Sequence, residues 1–397
     1  MDHFEEVLSQ ATKKGSNGVP GAAVAIVDRT GTIIYKHVAG FSGVADDAPA
    51  LEPDQVFWIA SCTKLITSVA ALQCVERGLI TLDEPLNSHL PELASQPIIA
   101  ASGEKDFFEL RDATNPITLR HLLTHSSGAV YDFMNPTLTM WRNSRGETPQ
   151  LPITGRIDAI TFPRIAEAGE VWNYSTSLDW VGVLIERLTK TDLEDYVTRN
   201  IAGPLGIKTW TWHLSRKPEV AKKLMRMSNR SPDGTLTSIK TPLFEEPEAE
   251  SGGAGIYSTL DDYMRFLSDT LKESPVTLKK ETMDMMFTPQ FEEGSKLQKS
   301  MWELSCAPLV GQSIEGVSPN HGLGGFLLPH DVVREESKYF KPKGTLGWHG
   351  MANLQWNANR EKGLAYLFAT QVIPWGDEKN QNLIKEFDTA VWNTYAK

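Results

Sequence analysis

Apolar and polar positions repeat with different periods along this chain, and the periods divide it into three parts. Residues 2–14 read as an amphipathic helix. GAAVAIVDRTGTIIYKHVAG, from Gly21 to Gly40, reads as two strands joined by the tight turn Arg29-Thr30-Gly31. After Ser61, apolar residues fall at Leu65, Ile66, Val69, Leu72, Cys74 and Val75, close to a helical period, and Gly78 closes the run. From about Asn87 to Glu250 prolines are frequent and the clearest elements are helical: ITLRHLLTHSSG, SLDWVGVLIERLTK and LEDYVTRNIAGPLGI. Strand character returns near Ser251-Gly252-Gly253-Ala254-Gly255. TLGWHGMANLQWNA and GLAYLFATQVI then read as paired strands, and DEKNQNLIKEFDTAVWNTYAK as a closing helix. The pattern predicts an α/β (α+β) chain, with a central antiparallel sheet built from residues 1–86 and 251–397 and flanked by helices. Residues 87–250 form a largely helical insertion, and a site is expected in the cleft between the two parts.

Composition narrows the function. The 397 residues are 41% apolar and 22% charged, as in ordinary globular proteins. A net charge of −11 without a long basic run argues against nucleic acid or an anionic membrane as partner. No apolar stretch approaches the roughly 18 residues that span a bilayer. The opening MDHFEEVLSQATKKG is acidic and helix-like, unlike a signal peptide. Three cysteines without close pairing do not make a disulfide scaffold, and Cys62 and Cys74 would lie about 18 Å apart on one helix. Cytoplasmic residence is expected.

Ser61-Cys62-Thr63-Lys64 opens the helical run. Lys64, three residues on, shares the face of Ser61, and a serine nucleophile needs a proton acceptor within hydrogen-bond reach. The competing reading is a capping serine followed by a surface lysine. A second match, Ser102-Gly103-Glu104-Lys105, lies in polar, glycine-containing AASGEKDF and reads as a solvated loop. Cys62 would point off the Lys64 face.

Other patterns sort more easily. Gly-x-Ser-x-Gly does not occur, which argues against an α/β-hydrolase. His121 and His125 have an i, i+4 spacing, but no glutamate follows His121, so a packed helical pair is expected rather than a zinc site. SGGAG lacks the Lys-Ser/Thr of a phosphate loop. Tyr174 precedes a strong amphipathic helix in a turn rich in hydroxyls; it either packs or carries the proton that Ser61 must lose. In GWHGMANLQW, His349 lies between glycines at a strand head, where bare backbone admits a substrate and leaves N–H groups for an oxyanion. Trp172, Trp348, Trp356 and Trp375 supply apolar walls around these motifs.

With Ser-x-x-Lys opening a helix, then a Tyr-Ser turn, then a Gly/His strand, the sequence resembles the serine β-lactamase/penicillin-binding-protein superfamily. It is most similar to the class C-like esterase/transesterase branch, and within it to the fungal statin side-chain acyltransferases. The stretches that carry this include ASCTKLITSVAALQCVERGLITLDEPL, ITLRHLLTHSSG, LDWVGVLIERLT and QVIPW. The resemblance implies a β-lactamase-like fold, Ser61 as the acylated nucleophile, Lys64 as its neighbouring base and Tyr174 as proton shuttle. It further implies an oxyanion hole from the backbone N–H groups of Ser61 and Met351, with no metal or cofactor.

The sequence departs from the β-lactamases of that branch, where Tyr-x-Asn and Lys-Thr-Gly grip the antibiotic. Thr176 stands in the asparagine's place, and His349-Gly350-Met351 replaces Lys-Thr-Gly. An ester or thioester therefore suits this site better than an anionic β-lactam. His349, Gly350, Trp348, Trp172 and Trp375 are the candidate substrate-binding residues. The expected activity is acyl transfer or hydrolysis through Ser61, in small-molecule or secondary metabolism. The donor is a small ester, a thioester or an acyl-carrier protein, and the acceptor an alcohol or water. A β-lactamase or D-alanyl-D-alanine peptidase-like hydrolase is the second reading and a non-enzymatic acyl sensor the third.

Overall fold

The computed structural model describes residues 1–102, 107–149, 151, 154–240, 246–305, 317–336 and 338–396. Seven strands form one antiparallel sheet: β1 (Gly21–Asp28), β2 (Ile33–Gly40), β3 (Asn320–His321), β4 (Phe326–Leu327), β5 (Thr345–Gly350), β6 (Leu354–Asn359) and β7 (Leu364–Ala369). The order is β2-β1-β7-β6-β5-β4-β3. Ala23 of β1 lies opposite Ala369 of β7 and Asp28 opposite Leu364, so the two ends of the chain close the sheet together. No described strand between residues 87 and 250 enters it. The β-lactamase-like, mixed α/β fold expected from the sequence is the one observed.

Six helices position the site: α1 (Asp2–Ala11), α2 (Thr63–Glu76), α3 (Leu119–Leu123), α4 (Ser177–Thr189), α5 (Leu260–Leu271) and α6 (Glu378–Tyr395). On one face of the sheet α1 and α6 pack Phe4, Leu8, Phe387 and Trp392 against Val24, Ile26, Tyr366 and Phe368. On the other, α5 crosses β1 and β7. Successive residues of β1 thus serve opposite cores, which is why the strand is apolar throughout and does not alternate. Truncating a side chain such as Phe387 to alanine would cost about 3–5 kcal/mol.

Three local expectations need correction. The competing reading of Lys64 as a surface lysine does not hold, since the expected helix is buried all round from Thr63 to Cys74, with α4 packed against it. Its polar residues are therefore paired inside: Thr67 donates to Gly252 O at 2.7 Å and Ser68 to Lys64 O at 2.8 Å. Second, the expected helical pair His121/His125 does not form. Helix α3 ends at Leu123; His121 closes a capping box with Thr118, and His125 turns out of the helix at φ +55°. Third, strand character resumes at Tyr257–Thr259, which pairs with Val56–Trp58, and Ser251–Gly255 forms turns.

Candidate active site

The strand Val56–Trp58 delivers the chain to a kink. Ile59 N–H is held by Ile256 O at 3.0 Å, Ala60 takes a left-handed φ of +47°, and Ala60–Cys62 forms one tight turn that runs into α2. Left-handed backbone at alanine costs roughly 1–2 kcal/mol and persists only where its surroundings hold it. The kink stands Ser61 at the head of α2, 9% exposed. The end of β5 abuts it closely, since a Cβ on Gly350 would lie 2.6 Å from Ile59 O. Only glycine permits that approach.

Three side chains converge there. Ser61 Oγ and Tyr174 Oη share a hydrogen bond of 2.5 Å, and Lys64 Nζ donates to Ser61 Oγ at 3.2 Å. Lys64 also donates to Tyr131 Oη at 3.1 Å and to Gly253 O at 2.8 Å, so all three ammonium protons have an acceptor. Tyr131 in turn donates to Asp179 Oδ2 at 3.3 Å. Burial, and after it the Asp179 carboxylate, hold the Tyr131 phenol far above its usual range, so it stays a donor. Burial also raises the Asp179 carboxyl, partly offset by Lys64. Asp179 accepts from Ser251 Oγ at 2.6 Å and lies in the first turn of α4, where the helix dipole favours negative charge. Lys64 Nζ also sits 4.7 Å from the centre of the Tyr174 ring.

Behind Tyr174 stands an aromatic wall. His125 shares a 2.9 Å hydrogen bond with Ser175 Oγ, and its carbonyl accepts from Asn173 N–H, so two segments 50 residues apart in sequence fix the turn that bears Tyr174. The His125 ring stacks on Trp348 and meets Tyr174 edge-on. Burial, then His321 and Lys64, hold its pKa well below the ordinary histidine value. His349 stacks on Trp375 with centroids 3.8 Å apart and on Trp348 at 5.4 Å. Burial, helped by Lys64, pushes it down to about 3, so the ring is neutral at physiological pH.

The structure thus brings Ser61, Lys64 and Tyr174 together and sets Gly350 against the Ser61 turn, with Met351 next in the chain and half-buried. Trp172 and Trp348, 1% and 3% exposed, lie beneath the site and support its rings; Trp356 is wholly buried, and Trp375 is the half-open one. Cys62 is buried, its thiol raised by desolvation, and Cys74 is buried and free. Ser102 follows the strand Ile98–Ala101 and heads no helix; its companion Lys105 lies outside the described residues.

With this geometry in view, kinship can be judged over the whole chain. The Beta-lactamase family matches residues 4–389. The chain belongs to the Beta-lactamase family. Within the family it is 36% identical to Acyltransferase calJ of Penicillium decumbens, over 99% of this chain and 98% of that protein. It is 31% identical to the Lovastatin esterase of Penicillium rubens, over 95% of each. A mutant of simvastatin synthase from Aspergillus terreus superposes with a TM-score of 0.88 at 31% identity, covering 99% of this chain and 97% of the other. The chain is accordingly an enzyme of the acyltransferase and esterase branch of this family.

For a family member whose motifs were visible in sequence, several neighbours of the site were not. Tyr131, Asp179, Gly253 and His125 escaped sequence reasoning. An aspartate in the first turn of a helix reads as an ordinary dipole partner, and a tyrosine in AVYDF as packing. The one available signal was His125, a histidine just before Ser-Ser-Gly, where a helix stops.

Proposed function

We propose that this enzyme takes an acyl group from an ester or thioester donor onto Ser61 and passes it to an alcohol, with water as the competing acceptor. Ser61 Oγ attacks the acyl carbonyl, and its proton passes to Tyr174 Oη as the phenol hands its own proton to the departing alcohol or thiol; the C–O or C–S bond breaks, and Tyr174 is neutral before and after. The acceptor then repeats the sequence in reverse, giving its proton to Tyr174 and releasing Ser61. Lys64 aligns Ser61 and stabilises the charge that develops on Ser61 Oγ and Tyr174 Oη as the proton passes. The N–H groups of Ser61 and Met351 receive the oxyanion. The carrying observation is the convergence of Tyr174 Oη and Lys64 Nζ on Ser61 Oγ at 2.5 and 3.2 Å.

Transfer is favoured over hydrolysis by the aromatic surroundings and by the kinship with acyltransferases of secondary metabolism. A site walled by rings excludes water and preserves the acyl-enzyme for a bulky acceptor. The donor is a free small thioester or ester or a carrier-bound acyl group. A β-lactam fits less well: Thr176, in the place of the amide, is 1% exposed, and neutral His349 stands where a lysine would hold a carboxylate. The test is partitioning. With a thioester donor, intact-mass measurement should find the acyl group on Ser61, and added apolar alcohols should yield ester in preference to free acid. If no alcohol from a broad panel yields ester, the enzyme is a hydrolase. His349→Gly should leave hydrolysis no faster than in the parent.

A further inference from the structure

Directly behind the Lys64 network lies a second buried polar cluster: Glu194, His213 and Glu250, which are 7%, 4% and 8% exposed. His213 Nε2 pairs with Glu250 Oε1 at 2.9 Å and Nδ1 with Glu246 Oε1 at 2.8 Å. Glu194 accepts from Thr211 Oγ1 at 2.8 Å and Trp212 N–H at 3.0 Å, and Arg216 approaches Glu194 and Glu250 at 3.8 and 3.6 Å. Glu186 of α4 faces Glu250 as well. The polar atoms of the cluster thus hold one another.

The two networks are joined by the glycine-rich stretch that resembled, and was not, a phosphate loop. Ser251 O accepts from Trp212 Nε1 at 2.8 Å, while Ser251 Oγ donates to Asp179. Gly252 O accepts from Thr67, and Gly253 O from Lys64 at 2.8 Å. No side chain fits at its three glycines: a Cβ would meet Leu178 O at 2.4 Å from Gly252, Asp179 Oδ2 at 2.6 Å from Gly253 and Trp212 Cδ1 at 1.9 Å from Gly255. The stretch is a strut wedged between two charged clusters.

We propose that Glu250 is a positioning residue for Lys64. Clamped by His213 and Arg216, it fixes the entry to the strut, and the strut fixes both the Gly253 carbonyl that orients the Lys64 ammonium and the Ser251 hydroxyl that holds Asp179. Release of Glu250 lets the carbonyl drift, and Lys64 loses its alignment on Ser61. Misplacement on the order of 1 Å costs up to about 100-fold in rate. Glu250 itself lies behind the site, so substrate binding is untouched. The proposal rests on Ser61 being the nucleophile, and the experiment separates the two.

The measurement is the rate at which a fluorophosphonate probe labels Ser61, with thermal melting in parallel and steady-state kinetics on a p-nitrophenyl ester. Glu250→Ala should slow labelling and kcat about 10- to 100-fold at unchanged KM. Glu250→Gln, which keeps a partner for His213, should recover most of the rate. If Glu250→Ala does not fold, Ser251→Ala carries the test, since it removes only the hydroxyl's bonds to Asp179 and to the Gly253 N–H of the strut; it should slow labelling about tenfold. Wild-type labelling rates in folded Glu250→Ala or Ser251→Ala, or a rise in KM at unchanged kcat, overturn the positioning role and leave Ser61 as nucleophile. Failure of the wild type to be labelled at Ser61 overturns both.

Discussion

Lys64 and Lys341 are 2% and 1% exposed, and each is surrounded by tyrosines and an aspartate. Around Lys341, donors converge on one acceptor. Asp388 of α6 receives Tyr339 Oη at 2.6 Å, Tyr366 Oη at 2.5 Å and Trp392 Nε1 at 2.8 Å, with Lys341 Nζ 3.3 Å away. Burial lowers the Lys341 pKa, and the Asp388 carboxylate works against that fall. Around Lys64 the path does not close. It runs from Asp179 through Tyr131 and the ammonium to two hydroxyls, Ser61 and Tyr174, the first of them at the edge of solvent. The same residue types therefore make a closed rivet in one place and an open path in the other. A buried lysine among tyrosines is not by itself the mark of a site; the hydroxyl at the accessible end of the path, proposed as the nucleophile, is what sets Lys64 apart.

The largest expected effect tests the end of that path. Ser61→Ala should lower kcat by about three orders of magnitude or more and abolish fluorophosphonate labelling, with melting little changed. Labelling that persists at Ser102 or Cys62 would break the contrast at its root.

Next come the two groups that touch Ser61. Lys64→Ala and Tyr174→Phe should each slow acylation about 10²- to 10⁴-fold in stopped-flow bursts. The double variant should be little worse than the poorer single one, as for residues that act as a unit. Additive losses would mean that each does a separate task.

The rivet should respond in stability and not in rate. Asp388→Asn removes the buried carboxylate that pairs with Lys341 and accepts from Tyr339, Tyr366 and Trp392, at a cost of about 3–5 kcal/mol in denaturant unfolding. Its kcat should match the parent at temperatures where it is folded. A large fall in kcat there would mean that the back of the sheet shapes the site.

The smallest effect belongs to Glu186, whose carboxyl is raised to about 7, first by burial and then by the nearby charges of Glu250 and Asp192. Between about pH 4.5 and 7 the folded chain keeps a proton that the unfolded chain has released, so stability falls as pH rises through that window and levels off above it. Glu186→Gln should flatten this slope and raise stability at pH 8 by about 1–2 kcal/mol, less than the full shift because solvent still reaches the carboxyl. An unchanged slope would place the proton elsewhere.

Much of this molecule is local information. The Ser61–Lys64 spacing is three residues, the Tyr174 turn is written in its hydroxyls, and the period-two and apolar runs at both ends name the strands of the sheet. Periodicity placed α2 but not its burial on every side, because Lys64 and Thr67 read as exposed until the elements that cover them are known. It misled at His125, where the helix stops two residues before the histidine and the ring is spent on Tyr174 and Trp348. Lys64 finds Tyr131 67 positions away and Gly253 189 positions away. Whether a lysine is matched to a carbonyl, or a glutamate to a histidine behind it, depends on which distant segments the core brings together. Local propensity and pattern act over a few residues, so the residues proposed for the reaction are legible in the sequence. The groups that hold them in register exist only once the packed sheet and helices have set the distances.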